Sequence, residues 1–173
     1  MVRAQFALDE LDFALLGALH NSPRAGVLEL SRQVRVARAT AQARLTRMEG
    51  AGIIAGYTPH IDVAAAGFGV QAFVTLEIAQ GALDTVAEEL AAVPGVLEAY
   101  ATTGSGDVLC RIAAASHDGL QRTLIELNKT ASVTRSTSVI ALSVVVPYRS
   151  MPLLNTLNPG DTSRAPAYRK GPS

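Results

Sequence analysis

The spacing of apolar residues changes along this chain, and that change constrains the fold more than any other feature. Up to about residue 49, apolar residues recur every three or four positions, which is the period of an amphipathic helix. From Gln71 to Ile78 they alternate with polar residues, which is the period of a half-buried strand. The sequence therefore predicts a helical N-terminal domain followed by a separate domain that contains a β-sheet.

Three short helices are predicted in the N-terminal domain. Leucines from position 8 to position 19 form one apolar stripe, and Asp9 and Asp12 lie near its start, where negative charge suits the helix dipole. Two further helices are predicted at about 27–34 and 39–49, and glycine follows the last of them. The separation of these two helices by about four residues is typical of a helix-turn-helix.

The third predicted helix carries a candidate DNA-binding face. Its spacing assigns Ala41, Leu45 and Met48 to the core. The remaining sides hold small, polar or basic residues that can approach a DNA groove, namely Thr40, Gln42, Ala43, Arg44 and Arg47. For a charged stripe alone, an ordinary solvated face is the commoner explanation. The order of the three helices, and the absence of acidic residues between Arg32 and Arg47, favour DNA binding.

Positive charge is concentrated around this helix, although the 15 basic and 15 acidic residues of the whole chain cancel. Residues 24–47 hold six arginines and one glutamate, an excess of five positive charges. Phosphate contacts are predicted for Arg24, Arg32, Arg35, Arg38, Arg44 and Arg47. Base reading is predicted for Thr40, Ala43 and Arg44, together with Gln42.

The second half of the chain predicts a ferredoxin-like sandwich. Strands are predicted at 71–78, 96–102, 108–114 and 133–146, with helices at about 83–90 and 120–127 between them. This βαββαβ order gives one sheet covered by helices on one face, so the fold class is α+β. The other face of the sheet then needs a cover, and a homodimer with sheets packed face to face is expected.

These patterns divide the chain into four segments. The helix-turn-helix domain is predicted to span 1–54, a linker 55–67 and the ferredoxin-like domain 68–149. From 150 to 173 the composition is dominated by Asn, Pro, Gly, Ser and Thr without periodicity, which predicts a mobile tail.

The stretch TTGSGDVL at 102–109 places two glycines and an aspartate between two predicted strands. A phosphate-binding loop requires a helix after the glycines and, in the Walker form, a Lys-Ser or Lys-Thr pair, and this stretch has neither. Two interpretations remain open. The first is a hairpin whose glycines allow positive φ and whose aspartate caps its own turn. The second is a ligand clamp, in which glycine N–H groups receive a carboxylate and Asp107 pairs with an ammonium group.

Several classes of protein are disfavoured by the composition. The single cysteine, Cys110, cannot form an internal disulfide and has no nearby histidine cluster for a metal site. The N-terminus is too charged for a signal peptide, and no uncharged apolar run approaches the ~18 residues of a membrane span. His20, His60 and His117 are not in a nucleophile–base arrangement, which argues against an enzyme acting on amino acids. We expect a cytoplasmic protein without a cofactor.

Four segments in order resemble the Lrp/AsnC (leucine-responsive, or feast/famine) family of prokaryotic transcription regulators. They are LDELDFALLGAL at 8–19, RLTRMEGAGIIAGY at 44–57, VPGVLEAYATTGSGDVLCRI at 93–112 and SVTRSTSVIAL at 132–142. The resemblance runs in register from about Leu8 to Pro147. It implies a winged helix-turn-helix, a hinge strand and a ligand-sensing ferredoxin-like domain. It also implies dimers that often assemble into octamers, with amino acids bound between dimers.

The resemblance implies particular site residues as well. The family's Gly-x-x-Asp loop falls on Gly104, Ser105, Gly106 and Asp107. Effector contacts are further implied for Tyr100, Thr102 and, from a neighbouring subunit, the segment that includes Val133, Thr134 and Ser136. Arg44 and Arg47 match basic positions of the family's DNA-binding helix. The chain departs from the family at the turn between the helices, where Arg35, Val36 and Ala37 replace the usual Gly-Leu-Ser.

The predicted function is a DNA-binding regulator whose oligomeric state or DNA affinity responds to an amino-acid effector. Its partners would be double-stranded DNA, the effector and further copies of the chain, with the third helices of a dimer in successive major grooves about 34 Å apart. An architectural DNA-coating protein without effector control is the alternative.

Overall fold

The computed structural model describes residues 7–158, which belong to two compact units. Of the described residues, 7–59 and 147–158 form the first unit, and His60–Val146 forms the second. The chain therefore leaves the first unit at 59/60 and returns to it at 146/147. The predicted domain limits at 54 and 68 stay predictions, and the tail beyond residue 158 lies outside the described residues.

The secondary structure of residues 7–158 follows the predicted order. The helices are α1 (Glu10–Asn21), α2 (Val27–Gln33), α3 (Arg38–Gly50), α4 (Leu83–Ala91), α5 (His117–Lys129) and α6 (Met151–Asn155). The strands are β1 (Val70–Ile78), β2 (Val96–Ala101), β3 (Val108–Ala114) and β4 (Val133–Ala141). The predicted bounds of most elements are within three residues of these, and β4 is the main exception.

The first unit is a helical cluster whose core is formed by the predicted apolar faces. Ala41, Leu45 and Met48 of α3 are buried, as predicted, and pack with leucines of α1 and α2. Helix α1 begins with a capping box: the Asp12 amide donates to Asp9 Oδ1, and the Asp9 amide donates to Asp12 Oδ2, both at 3.0 Å. This box satisfies two backbone N–H groups that the first turn otherwise leaves without partners.

The turn between α2 and α3 has the geometry that usually requires glycine. Helix α2 ends in a Schellman motif, in which Val36 N–H donates to Ser31 O and Arg35 N–H donates to Arg32 O. Arg35 occupies the left-handed position with a φ of 58°. Gly52 fills the same position after α3 with a φ of 73°. Arg35 therefore carries backbone strain that Gly52 avoids.

The wing and the hinge strand implied by the family resemblance are not formed in this structure. From residue 7 to residue 69 the chain contains helices, turns and irregular segments but no strand. A strand needs a neighbouring strand to bond its backbone groups, and among the described residues no strand pairs with the segment 55–67.

The prediction of a structureless segment from residue 150 is wrong for its first residues. Met151–Asn155 forms α6, and Met151 and Leu154 pack against the core of the first unit. Two apolar residues three positions apart suffice for this contact, and Pro152 suits the first turn of a helix. A pattern of that length gives no periodic signal in the sequence.

The second unit is a four-stranded antiparallel sheet in the order β2-β3-β1-β4, as the βαββαβ prediction requires. Alternate residues of β1, which are Ala72, Val74 and Leu76, are fully buried with side chains of α4 and α5. Strand β4 ends at Ala141 rather than 146. The reason is that β1 begins at Val70, so its pairing with β4 ends at Gln71 and Ala141.

The opposite face of the sheet is open in the single chain. Phe73 of β1 pairs with Val139 of β4 on this face, and they are 44% and 65% exposed. Apolar side chains also continue beyond β4, where Leu142, Val145 and Tyr148 are almost fully exposed. The predicted face-to-face homodimer stays a prediction.

Candidate DNA-binding surface and effector-binding loop

The N-terminal half of α3 presents most of the predicted DNA-contacting residues to solvent. Arg38, Thr40, Gln42 and Ala43 are exposed, with the Gln42 amide donating to Thr46 Oγ1 at 3.3 Å. Arg38 is the first residue of α3, a position where the helix dipole disfavours positive charge. Helix α3 also starts without a side-chain cap, because its N-cap residue is Ala37. Basic charge at this helix end thus opposes stability, as is common at functional surfaces.

Three more of the predicted arginines are exposed around α2. Arg24 lies between α1 and α2, Arg32 in the last turn of α2, and Arg35 in the turn that precedes α3. Together with Arg38 they form a group of exposed cations, the α2–α3 arginine group (Arg24, Arg32, Arg35 and Arg38). Such a group can contact the phosphates of a duplex.

Arg44 and Arg47 are held by carboxylates of α1. Arg44 Nη1 donates a short hydrogen bond to Asp9 Oδ2 and lies 3.3 Å from Asp12 Oδ1. Arg47 Nη2 lies 2.5 Å from Asp12 Oδ2. The hydrogen bond from Arg44, followed by the one from the Asp12 amide, holds the pKa of Asp9 below its ordinary value. Both arginines were predicted on a DNA-facing side, and sequence analysis missed their partners about 35 residues away.

The loop between β2 and β3 is a hairpin connection that Thr102 closes. Thr102 N–H donates to Asp107 O, and Thr102 Oγ1 donates to Gly106 O, both at 2.8 Å. Positive φ was expected at the glycines of this loop, and it is found at Gly104, with a φ of 120°, but not at Gly106. The expectation that the aspartate caps its own turn is wrong, because Asp107 bonds a different strand.

Asp107 joins the loop to the C-terminal end of β1. Its backbone N–H donates to Leu76 O at 2.9 Å, and its Oδ2 accepts from Ile78 N–H at 2.8 Å. Gly106 is needed for this close approach, since a Cβ there would lie 2.1 Å from Thr75 Cγ2. Asp107 remains exposed, and among the described residues no donor bonds its Oδ1.

The predicted segment of β4 lies on the other side of the same end of β1. Val133 pairs with Ile78, Ser136 pairs with Leu76, and Thr134 Oγ1 donates to Glu77 O at 3.0 Å. Residues Gly104–Asp107 and Val133–Ser136 therefore flank residues 76–78 from two sides within one chain. Tyr100 is farther away on β2, where its hydroxyl donates to Glu98 at 2.6 Å.

A cavity of about 550 Å³ in the second unit contains none of the predicted effector residues. Phe68, Leu97, Ala114 and Arg122 are among its lining residues, at the end of the β2–β3 hairpin opposite the loop. At the loop itself Gly104, Ser105 and Asp107 are exposed. A ligand there would need further surfaces to bury it.

Three further features of residues 7–158 concern the cysteine, metal ligation and membrane-spanning helices. Cys110 is fully buried, and desolvation raises the pKa of its thiol to about 11. Within the described range, no three His, Cys, Asp or Glu side chains converge in a way that could hold a metal ion. No helix between residues 7 and 158 has the length and hydropathy to cross a membrane.

The comparisons with known proteins match both units. Residues 8–49 match the AsnC-type helix-turn-helix domain, and residues 71–151 match the Lrp/AsnC ligand binding domain. These two domains define a transcriptional regulator that has a DNA-binding part and a ligand-binding part. The chain belongs to the Lrp/AsnC family.

Individual relatives agree with that assignment. The chain is 30% identical over 122 residues to the HTH-type transcriptional regulator AldR of Mycolicibacterium smegmatis, covering 69% of this chain and 71% of AldR. It is similar to the solved structure of Escherichia coli AsnC, with a TM-score of 0.78, 26% identity, and coverage of 85% and 100%. It is also similar to a Neisseria meningitidis transcriptional regulator solved as its L-Met complex, with a TM-score of 0.77, 25% identity, and coverage of 87% and 99%.

Proposed function

We propose that this regulator binds an amino acid at the sheet end formed by residues 76–78, 104–107 and 133–136, and that the ligand changes its oligomeric state or DNA affinity. The observation that carries the proposal is that Gly104–Asp107, with the exposed Asp107 carboxylate, and Val133–Ser136 flank the same end of β1. Asp107 Oδ1 can accept a hydrogen bond from an ammonium group, while Oδ2 accepts one from the backbone N–H of Ile78. The L-Met complex of the Neisseria relative supports this ligand class.

The ligand would lie between two dimers, because one chain leaves the sheet end open. A surface from another dimer would complete the enclosure that small ligands need. The ligand would shift an equilibrium between assemblies only by its difference in affinity for them, which is about 1–3 kcal/mol in typical allosteric proteins.

On the DNA side, α3 would enter the major groove, with Thr40, Gln42, Ala43 and Arg44 near base edges. The α2–α3 arginine group would supply the phosphate contacts, with Arg44 and Arg47 beside them. Because phosphate contacts release counterions, affinity for duplex should fall steeply with salt. Binding to promoter DNA that ignores salt would contradict this part of the proposal.

The effector site is tested by a thermal-shift screen of the twenty amino acids, followed by calorimetry with any ligand found. A ligand that binds only the folded state raises the melting temperature. Asp107→Asn keeps an oxygen that can accept from Ile78 N–H but removes the charge, so we expect it to lose ligand binding and keep DNA binding. Asp118→Asn is the charge-matched control, since Asp118 is an exposed acid in the first turn of α5. Undiminished binding by Asp107→Asn would refute the role of Asp107.

The second candidate is an architectural DNA-binding protein without an effector. The bond from Ile78 N–H to Asp107 favours it, because that bond gives the aspartate a structural role that needs no ligand. DNA footprints that spread without a preferred site, together with no response to any amino acid, would support this candidate.

A further inference from the structure

We propose that Asp9 is an intramolecular competitor for DNA phosphate, and that it limits the affinity of this protein for duplex by neutralising Arg44. The inference rests on the proposed DNA-binding surface and goes beyond it, because it assigns an affinity-limiting role to an acidic residue of α1. Four side chains carry the argument: Asp9 and Asp12 of α1, and Arg44 and Arg47 of α3. We call them the α1–α3 charge cluster.

The two carboxylates of the cluster differ in burial. Asp12 is 0% exposed and is contacted by both arginines, with Arg47 Nη2 2.5 Å from Oδ2 and Arg44 Nη1 3.3 Å from Oδ1. A carboxylate without solvent depends on such partners. Asp9 is 50% exposed and pairs with Arg44. Between the contacts of Arg44 with Asp9 and with Asp12, the one with Asp9 is therefore the one that can exchange with an outside anion.

The cluster carries no net charge, because its two arginines balance its two carboxylates. Arg44 and Arg47 consequently add little to the attraction between this surface and a duplex while Asp9 stays ionised. A phosphate oxygen has the charge and the acceptor geometry to replace the Asp9 carboxylate on Arg44. Exposed ion pairs are weak, so this exchange is feasible, but the displaced carboxylate would remain beside the phosphate and repel it.

The two carboxylate oxygens of Asp9 have different partners, so the ion pair with Arg44 can be removed without removing the helix cap. Oδ1 accepts the capping hydrogen bond from the Asp12 amide, whereas Oδ2 pairs with Arg44. Asparagine is as good an N-cap as aspartate. Asp9→Asn should therefore keep the start of α1 and remove only the charge that competes with phosphate.

Glu10→Gln is the matched control for that variant. Glu10 lies in the same first turn of α1, is exposed, and forms no ion pair among the described residues. Both variants change the net charge by one unit at nearly the same place. General electrostatic attraction to DNA should rise equally in both variants. A difference in their affinity for DNA therefore measures the effect of removing the ion pair between Asp9 and Arg44.

The experiment measures the affinity of the full chain for a mixed-sequence duplex of about 30 base pairs at several salt concentrations, with melting curves to compare folding. We expect Asp9→Asn to bind roughly threefold more tightly than Glu10→Gln, and to steepen the dependence of log K on log salt by about 0.9. The gain should disappear in the double variant Asp9→Asn with Arg44→Gln.

Three results would overturn the inference: equal affinities of Asp9→Asn and Glu10→Gln, weaker binding by Asp9→Asn, or a gain that survives Arg44→Gln. A failure of the proposed function gives a different result, since the wild type would then bind duplex weakly or without salt dependence. Absence of wild-type binding would overturn both.

Discussion

At the scale of single residues, Cys110 shows how burial decides reactivity. Its side chain is fully buried on β3, and desolvation raises the pKa of the thiol to about 11. Because only the thiolate reacts, and a raised pKa moves the thiolate to higher pH, we expect the native protein to resist a disulfide reagent at pH 8. The same protein unfolded in urea should react stoichiometrically. Rapid labelling of the native protein would contradict the burial of Cys110.

Gly106 gives a second residue-scale prediction, because the space around it is taken by Thr75. A Cβ at position 106 would lie 2.1 Å from Thr75 Cγ2, while the next nearest atom outside that side chain, Leu76 O, is 3.5 Å away. We expect Gly106→Ala to lower the free energy of unfolding by about 1–3 kcal/mol in a denaturant titration. Adding Thr75→Ser, which removes Cγ2, should restore much of the loss. Failure of that rescue would mean that the glycine has another role.

At the scale of elements, the turn between α2 and α3 is strained by its sequence. Arg35 stands in the left-handed position of the Schellman motif with a φ of 58°. We expect Arg35→Gly to raise the free energy of unfolding by about 1 kcal/mol, because glycine adopts this conformation without a Cβ clash. Arg35→Ala is the control, since it removes the charge and keeps the Cβ. Equal effects of the two variants would show that charge, not backbone strain, governs this turn.

The bounds of some helices and strands were predictable from the sequence, and those of others were not. The order and bounds of α1, α2 and α3 were predictable because the apolar period is a local property of each helix. The extent of β4 was not, since β-branched residues continue to Val146 but the partner strand β1 ends its pairing opposite Ala141. Helix α6 was also missed, because its two core contacts, Met151 and Leu154, depend on a distant part of the chain.

At the scale of the whole molecule, one face of the sheet is exposed in the single chain. Phe73 and Val139 are exposed side by side on it, and exposed apolar surface of this kind is usually covered by another chain. We expect Val139→Lys to shift the protein toward monomer in sedimentation experiments, with little effect on the folding of the chain. Ile125→Lys is the control, because Ile125 is a similarly exposed apolar residue on α5. A monomeric wild type would contradict the expected dimer.

The candidate effector site was predicted only in part, because a local sequence pattern does not show contacts between residues far apart in the chain. The Gly104–Asp107 loop was recognisable as a contiguous stretch, and its glycine with positive φ was expected. The donor to Asp107 was not, because Ile78 lies 29 residues earlier in the chain. Likewise, the arginines of α3 were identified by charge, but their pairing with Asp9 and Asp12 required the packing of α3 on α1.

The sequence by itself determined the helices, the strands and their order, since apolar spacing and turn residues act within a few positions of one another. It also determined the family, through motifs that are continuous in the chain. Only the tertiary structure decided which charges are neutralised, where β4 ends and what Asp107 bonds. Those outcomes depend on contacts between residues far apart in the chain, and the sequence around one residue does not show which distant residue contacts it.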